Sequence, residues 1–217
     1  RRFGGIETPG ATMSGVAPLS DDTGLLDEES VDGTAWRTRV SLHVDADGNV
    51  GQYAARSHRV VPLEDLPLAT SAVESAALAL GGGDPGRIDL VQPADGRVRI
   101  LPRPERTVDA APRRGRGARP SSTRRKTPAP EVVLERVGGR DFRVDAGGFW
   151  QVHRLAAHTL TTAVAGRLSG GVDPDAWHLD LYGGVGLFAA TLGDLGGAST
   201  RVTSVESDAR AHAHAGG

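Results

Sequence analysis

Cysteine is absent from the 217 residues of this chain. Its absence excludes disulfides, thiolate metal sites, iron–sulfur clusters and a cysteine nucleophile supplied by these residues. Lysine is nearly absent too: of 25 basic side chains, only Lys126 is lysine. Aromatic residues make up 4% and apolar residues 38%, enough for a core but below the ~45–50% usual in soluble domains. No run approaches the ~18 apolar residues of a membrane span, and no charged-then-apolar leader opens the chain. A cytoplasmic setting without a membrane partner is therefore expected, and a monomer is the working assumption.

What is present is loose and unevenly charged. Glycine contributes 30 residues and proline 13, and the net charge of −2 conceals a split. Six acidic side chains and no basic one lie between Asp21 and Asp32, whereas Arg97 to Lys126 carries eleven basic and two acidic groups. Such a basic stretch either attracts a polyanion or keeps a flexible loop solvated. The chain opens on Arg1-Arg2-Phe3 without an initiator Met and stops where a helix is beginning. It reads as a fragment of a longer protein.

Four segments follow from the patterning. Residues 1–35 are acidic and without sustained period, and read as a flexible segment. Residues 36–102 read as a small α+β unit: an alternating strand over 37–44, a turn, strands over 50–56 and 60–62, a helix over 69–80, and a hairpin over 87–92 and 97–101. Residues 103–130, rich in Pro and Arg, read as a disordered insertion or linker. Residues 131–217 read as a second unit. Its strands lie over 132–137 and 141–144, with a helix over 150–168 and an apolar, buried strand over 177–182. A glycine loop, a helix from 187, a strand over 201–206 and a further helical start complete it. Strand, glycine loop, helix, strand and helix in that order open a parallel α/β sheet.

The chemistry concentrates in Asp180-Leu181-Tyr182-Gly183-Gly184-Val185-Gly186-Leu187-Phe188. Glycines let backbone pass close beneath a ligand, and a helix N-terminus offers free N–H groups. Gly184, Gly186 and Ala189 also satisfy G-x-G-x-x-G/A, which taken alone is a weak signal; a tight turn without a ligand would look the same. Glu206 follows Gly186 by twenty residues, at the end of the second strand, where a carboxylate accepts both hydroxyl hydrogens of a ribose. Asp180, just before the glycines, either suits the cationic end of S-adenosylmethionine and repels a pyrophosphate, or caps local backbone.

Phe149-Trp150-Gln151-Val152-His153, the Asp180–Phe188 loop and Val205-Glu206 together resemble the RNA uracil-5 methyltransferase family, whose members methylate uridine in tRNA or rRNA. The strand and hairpin over 36–48 and Ser57-His58-Arg59-Val60-Val61-Pro62 resemble its central domain. The resemblance covers about residues 36–102 and 131–215. It implies the start of a Rossmann-like class I methyltransferase domain behind a small α+β central domain, with S-adenosyl-L-methionine as cofactor and RNA as partner. It assigns Gln151 to the methionine end or the neighbouring loop, Tyr182, Gly183, Gly184 and Gly186 to the cofactor's lining, and Glu206 to the ribose. For Gln151 a helix-capping role is the alternative.

The departures from the family pattern are also informative. The family often carries an iron–sulfur cluster; without cysteine none is expected here. It often has cysteine where Gly183 stands, an exchange expected to be tolerated. Its nucleophilic cysteine and its base are expected beyond residue 217, so no catalytic residue is assigned and the chain alone is expected to be inactive. The seven histidines show no metal-ligand spacing. A nicotinamide-dependent oxidoreductase and a non-catalytic RNA-binding protein using residues 36–126 are the other readings. The latter predicts RNA affinity that survives removal of residues 131–217, measurable by fluorescence anisotropy.

Overall fold

The computed structural model describes residues 33–105, 129–168, 170–173 and 175–216, together with the backbone at 2–3 and 6–7. Two short strands, β1 (Arg2–Phe3) and β2 (Ile6–Glu7), pair antiparallel where the composition suggested only loop. The rest of the acidic segment and the Arg-rich run over 106–128 lie outside the described residues.

The first large element is a five-stranded antiparallel sheet of order β5-β4-β3-β6-β7. Its strands are β3 (Arg39–Val44), β4 (Val50–Tyr53), β5 (Val60–Pro62), β6 (Gly86–Val91) and β7 (Arg99–Pro104). The alternation in β3 sends Val40, Leu42 and Val44 to one face, where they meet Ile88 and Leu90 of β6 and Val73 and Ala77 of α1 (Ser71–Leu78). Thr70 caps α1, its hydroxyl accepting from Val73 N. Leu42, Leu90 and Val73 are fully buried there. Burying a Val or Leu side chain is worth about 1.5–3 kcal/mol, so this cluster is the sheet's main support. β7 runs two residues past the expected boundary at 102, because Arg103 and Pro104 still pair with Arg87 and Gly86. β4 ends at Tyr53 rather than at 56: the chain turns there, with Ala54 N donating to Arg59 O.

The remaining elements are a hairpin, β8 (Val132–Val137) and β9 (Arg140–Asp145), then α2 (Ala156–Arg167), β10 (Trp177–Leu181), α3 (Leu187–Gly196), β11 (Arg201–Val205) and α4 (Ala209–Ala215). β10 and β11 are parallel neighbours joined through α3, the β-α-β order anticipated. A second core gathers Val133, Phe142 and Val144 of the hairpin with Ala146 and Val185, and Trp150, Leu187 and Ala211 pack against it. β10, expected to be buried, alternates instead. Asp180 is 6% exposed, while Trp177, Leu179 and Leu181 stand at 60–70%. The face that carries Trp177, Leu179 and Leu181 meets no covering layer among the described residues.

The helix expected over 150–168 begins only at Ala156. The reason is tertiary. Val152 O accepts from Thr38 N at 2.8 Å, Arg154 N donates to Trp36 O at 3.1 Å, and Arg37 and His153 form an antiparallel bridge. The Trp36 and His153 rings stack at 5.1 Å. These contacts pair residues 152–154 with the start of the sheet, which a helix there could not do. Gln151 therefore lies ahead of the helix rather than at its cap.

Arg39 completes this junction. It donates to Glu135 Oε1 at 2.9 Å, to Ala146 O at 3.1 Å and to Gly148 O at 2.9 Å. The Arg39 and Glu135 side chains are 10% and 9% exposed. Burial raises the Glu135 pKa, and the Arg39 hydrogen bond and charge oppose that rise. Removing one partner of such a buried pair strands the other charge. Arg39→Met is therefore expected to cost about 3–5 kcal/mol in urea unfolding, and the double variant with Glu135→Leu far less.

Candidate functional site

The turn after β10 is built from unusual backbone. Tyr182 (φ 60°), Gly184 (φ 57°) and Gly186 (φ 87°) all adopt the left-handed region. Glycine takes that conformation freely; a tyrosine there is strained, and Tyr182 is 92% exposed. Gly183 N donates to Val205 O at 3.1 Å and Gly186 N to Gly183 O at 2.8 Å, tying the turn to β11 and to the start of α3.

Glu206 is fastened to this turn. Its Oε2 accepts from Gly184 N at 2.8 Å, and its Oε1 accepts from Asp208 N at 2.8 Å and Ser207 Oγ at 3.2 Å. These donors, the Asp208 amide foremost, hold its pKa below the ordinary glutamate value. A carboxylate has about four acceptor sites, so Glu206 keeps capacity for an outside donor.

Between this turn and the hairpin lies a cleft of about 360 Å³. Tyr182, Gly183, Gly184 and Glu206 line one side, and Asp145, Phe149, Trp150 and Gln151 the other. Five of the expected cofactor contacts thus converge on one cavity, although Gln151 and Gly183 lie 32 positions apart in the sequence. Two do not line it. Asp180 is buried beneath, where its Oδ2 accepts from Ala189 N at 3.1 Å, so it holds the first turn of α3; burial, only partly offset by that bond, raises its pKa. Gly186 lies on the far side of the turn, where a Cβ would meet Ala215 Cβ at 3.2 Å.

Gly183 is tighter than expected. A Cβ built there falls 2.0 Å from Ser204 Oγ and 3.0 Å from Asp180 Oδ2. A side chain at this position therefore requires Ser204 to move, so the turn as built has room for glycine.

No family model matches the chain. It is 37% identical, over 82% of its length, to a Streptomyces avermitilis protein named an uncharacterized RNA methyltransferase, of which the match covers 42%. A Streptomyces coelicolor protein and a Bifidobacterium longum protein, likewise named, are 36% and 33% identical over 82% of the chain and over 40% and 42% of their own lengths. The chain is a relative of bacterial proteins named RNA methyltransferases. It spans about two fifths of their length. Among solved structures, Pyrococcus abyssi tRNA (uracil-54, C5)-methyltransferase in complex with S-adenosyl-L-homocysteine matches with a TM-score of 0.54 and 17% identity. That match covers 84% of this chain and 52% of the other, and it is a likeness of fold.

Sequence reasoning missed Asp145 on the opposite wall. Asp145, at the end of β9, accepts from Arg210 Nε, from the Arg210 terminal amine at 2.7 Å and from His214 Nε2 at 2.8 Å. Arg210 and His214 stand four apart on α4, so one face of the helix presents both. That spacing was readable; its partner 65 residues upstream was not. Arg210 foremost, with His214, lowers the Asp145 pKa to about 2 against the cost of burial. Because this folded-state value lies below the unfolded ~4, the resulting stability is complete above pH ~4 and fades as pH falls toward 2. Asp145→Asn is expected to flatten stability against pH in that window. At pH 7 it should cost about 1 kcal/mol, a discounted figure because Arg210 is half exposed. Urea midpoints between pH 2 and 7 measure both.

Proposed function

We propose that the chain carries the S-adenosyl-L-methionine site of an RNA methyltransferase acting on C5 of a uridine in tRNA or rRNA. The observation that carries this reading is the Glu206 carboxylate, aimed by Gly184 N and Asp208 N into a cleft that also holds the glycine turn and Gln151. The names of the chain's relatives and the fold likeness support it.

The residues present fit an adenosine carrying a cationic tail. Glu206 offers its remaining acceptor capacity to ribose hydroxyls. Tyr182, exposed beside the turn, offers its ring to the adenine, and Gln151 its amide to the methionine end or the neighbouring loop. Asp180 acts one layer down, holding the helix whose N-terminus bounds the glycines. The cleft's lining includes the carboxylates of Asp145, Glu206 and Asp208. Asp145 is already paired with Arg210 and His214, which leaves Glu206 and Asp208 to set a negative rim. Such a rim favours a sulfonium and an ammonium and disfavours the pyrophosphate of a nicotinamide cofactor.

Bound S-adenosyl-L-methionine supplies an electrophilic methyl group. C5 methylation also requires a group that activates the uracil ring and a base that takes the C5 proton. The chain has no thiol, so by the family resemblance those roles fall to residues outside these 217.

Isothermal titration of the chain is expected to show S-adenosyl-L-homocysteine binding and no NAD+ binding. Glu206→Ala should weaken that binding at least tenfold, the scale of one charge-assisted hydrogen bond. For the protein that carries this chain, release of tritium from [5-³H]uridine in tRNA or rRNA transcripts is the expected signature of C5 methylation. Binding of NAD+ in place of S-adenosyl-L-homocysteine would overturn the reading.

A further inference from the structure

The five-stranded sheet has a second face, turned away from α1. β3 sends Arg39, Ser41 and His43 to it, and their register partners on β6 are Val91, Asp89 and Arg87. Arg103 joins from β7, opposite Arg87. Outside the Arg39 junction this face is mostly polar and cationic, with Leu101 opposite Asp89, and at the β4 side it carries a cluster of three rings. His43 and Tyr53 lie parallel at 3.6 Å between centroids, with 15° between planes, and His58 stands edge-on to Tyr53 at 5.2 Å. Tyr53 is 37% exposed, and His58 is exposed on the turn between β4 and β5. That turn is well defined: Ser57 N donates to Ala54 O at 3.0 Å and Arg59 N to Ser57 Oγ at 3.2 Å. It presents Arg56 and Arg59 to solvent beside the rings.

Charge and position add to the case. Arg87 and Arg103 share one buried carboxylate, Asp89, at 2.6 and 2.7 Å, and each keeps half of its side chain exposed. Burial works against the Asp89 charge, but Arg87, Ser41 and Arg103 hold its pKa below the usual value, so it stays ionised. Arg56 and Arg59 add two exposed guanidiniums on the neighbouring turn, and Asp65 is a second carboxylate in the cleft that Arg87 and Asp89 line. Burial, then Arg87, lowers the His43 pKa, so its ring stacks uncharged. Arg87 and Asp89 also line a cleft of about 610 Å³ together with Gly147, Gly148, Phe149 and Trp150. Gly148, Phe149 and Trp150 are at the same time the wall of the glycine-turn cleft. The cationic face therefore leads directly to the site proposed above.

We propose that His43, Tyr53 and His58, flanked by Arg56, Arg59 and Arg87, form a stacking platform for an unpaired stretch of the RNA that flanks the nucleotide entering the cleft. The inference rests on the RNA methyltransferase reading for its partner and adds the surface and the strand state recognised. Aromatic faces bind bases of any identity when those faces are open, whereas a duplex hides them in its own stack. Guanidiniums at this spacing neutralise the phosphates between stacked bases.

The test is fluorescence anisotropy of the full chain with a labelled 12-nucleotide single-stranded RNA and with a duplex of the same length. Single-strand binding is expected to exceed duplex binding. Tyr53→Ala should weaken the single strand roughly tenfold, with Tyr53→Phe restoring it. Arg56→Gln with Arg59→Gln should lower the slope of log affinity against log salt by about 1.4. Wild-type affinity in Tyr53→Ala, or a duplex preference, overturns the platform. S-adenosyl-L-homocysteine titration of each variant runs in parallel. Unchanged cofactor affinity shows that Tyr53→Ala remains folded and separates the two proposals: RNA binding that depends on Tyr53 without any cofactor binding would uphold the platform and sink the methyltransferase reading.

Discussion

Arg39 is the constraint on which the arrangement of this chain depends. One guanidinium, nearly out of solvent, satisfies a carboxylate of β8 and two carbonyls of the segment that follows β9. Those bonds dock the hairpin and residues 146–149 onto the start of β3, the central strand of the five-stranded sheet. The backbone pairing of residues 36–38 with 152–154 then extends the same seam. Everything the cleft needs from the hairpin side, namely Asp145, Phe149, Trp150 and Gln151, sits on the stretch held by this seam.

The cleft's other side depends on a different economy of backbone. A strained Tyr182 and two left-handed glycines bring the turn close to the end of β11, and Glu206 locks it there through Gly184. Asp180 contributes from below by holding the start of α3. The buried carboxylate and the one in the cleft thus divide the work: one fixes the helix, the other faces whatever binds. Their environments also push their pKa values in opposite directions, Asp180 up by burial and Glu206 down by backbone donors.

The docking of the hairpin also gives the polar face of the sheet a destination. Arg103 reaches Gly147 O from β7 while also holding Asp89, so the cationic face and the wall of the cleft share side chains. An exposed Phe149 stands on that wall. In the proposed function, RNA lies on one side of the wall and the cofactor on the other.

Local pattern determined much of this. Alternation in β3, a helix within 69–80 and the strand–glycine–helix order around Tyr182–Gly186 are short-range features, readable because each depends on neighbours two to four residues away; that Thr70 caps the helix, rather than lying in it, emerged from the fold. Gly184 and Glu206 could be named from their spacing for the same reason, whereas Gln151, Tyr182 and Gly183 were named by the family resemblance. Tertiary structure decided the rest. Residues 152–154 stay out of the helix because their hydrogen-bond partners lie on residues 36–38, more than a hundred positions upstream. Asp180 lies beneath the cleft, where Ala189 N comes within its reach from nine positions downstream. Asp145 joined the cleft because α4 brought Arg210 and His214 to it. The sequence by itself determined which elements form and which turn carries the glycines. Only long-range hydrogen bonds and ion pairs, invisible to any local window, decided which of the polar side chains face the cavity.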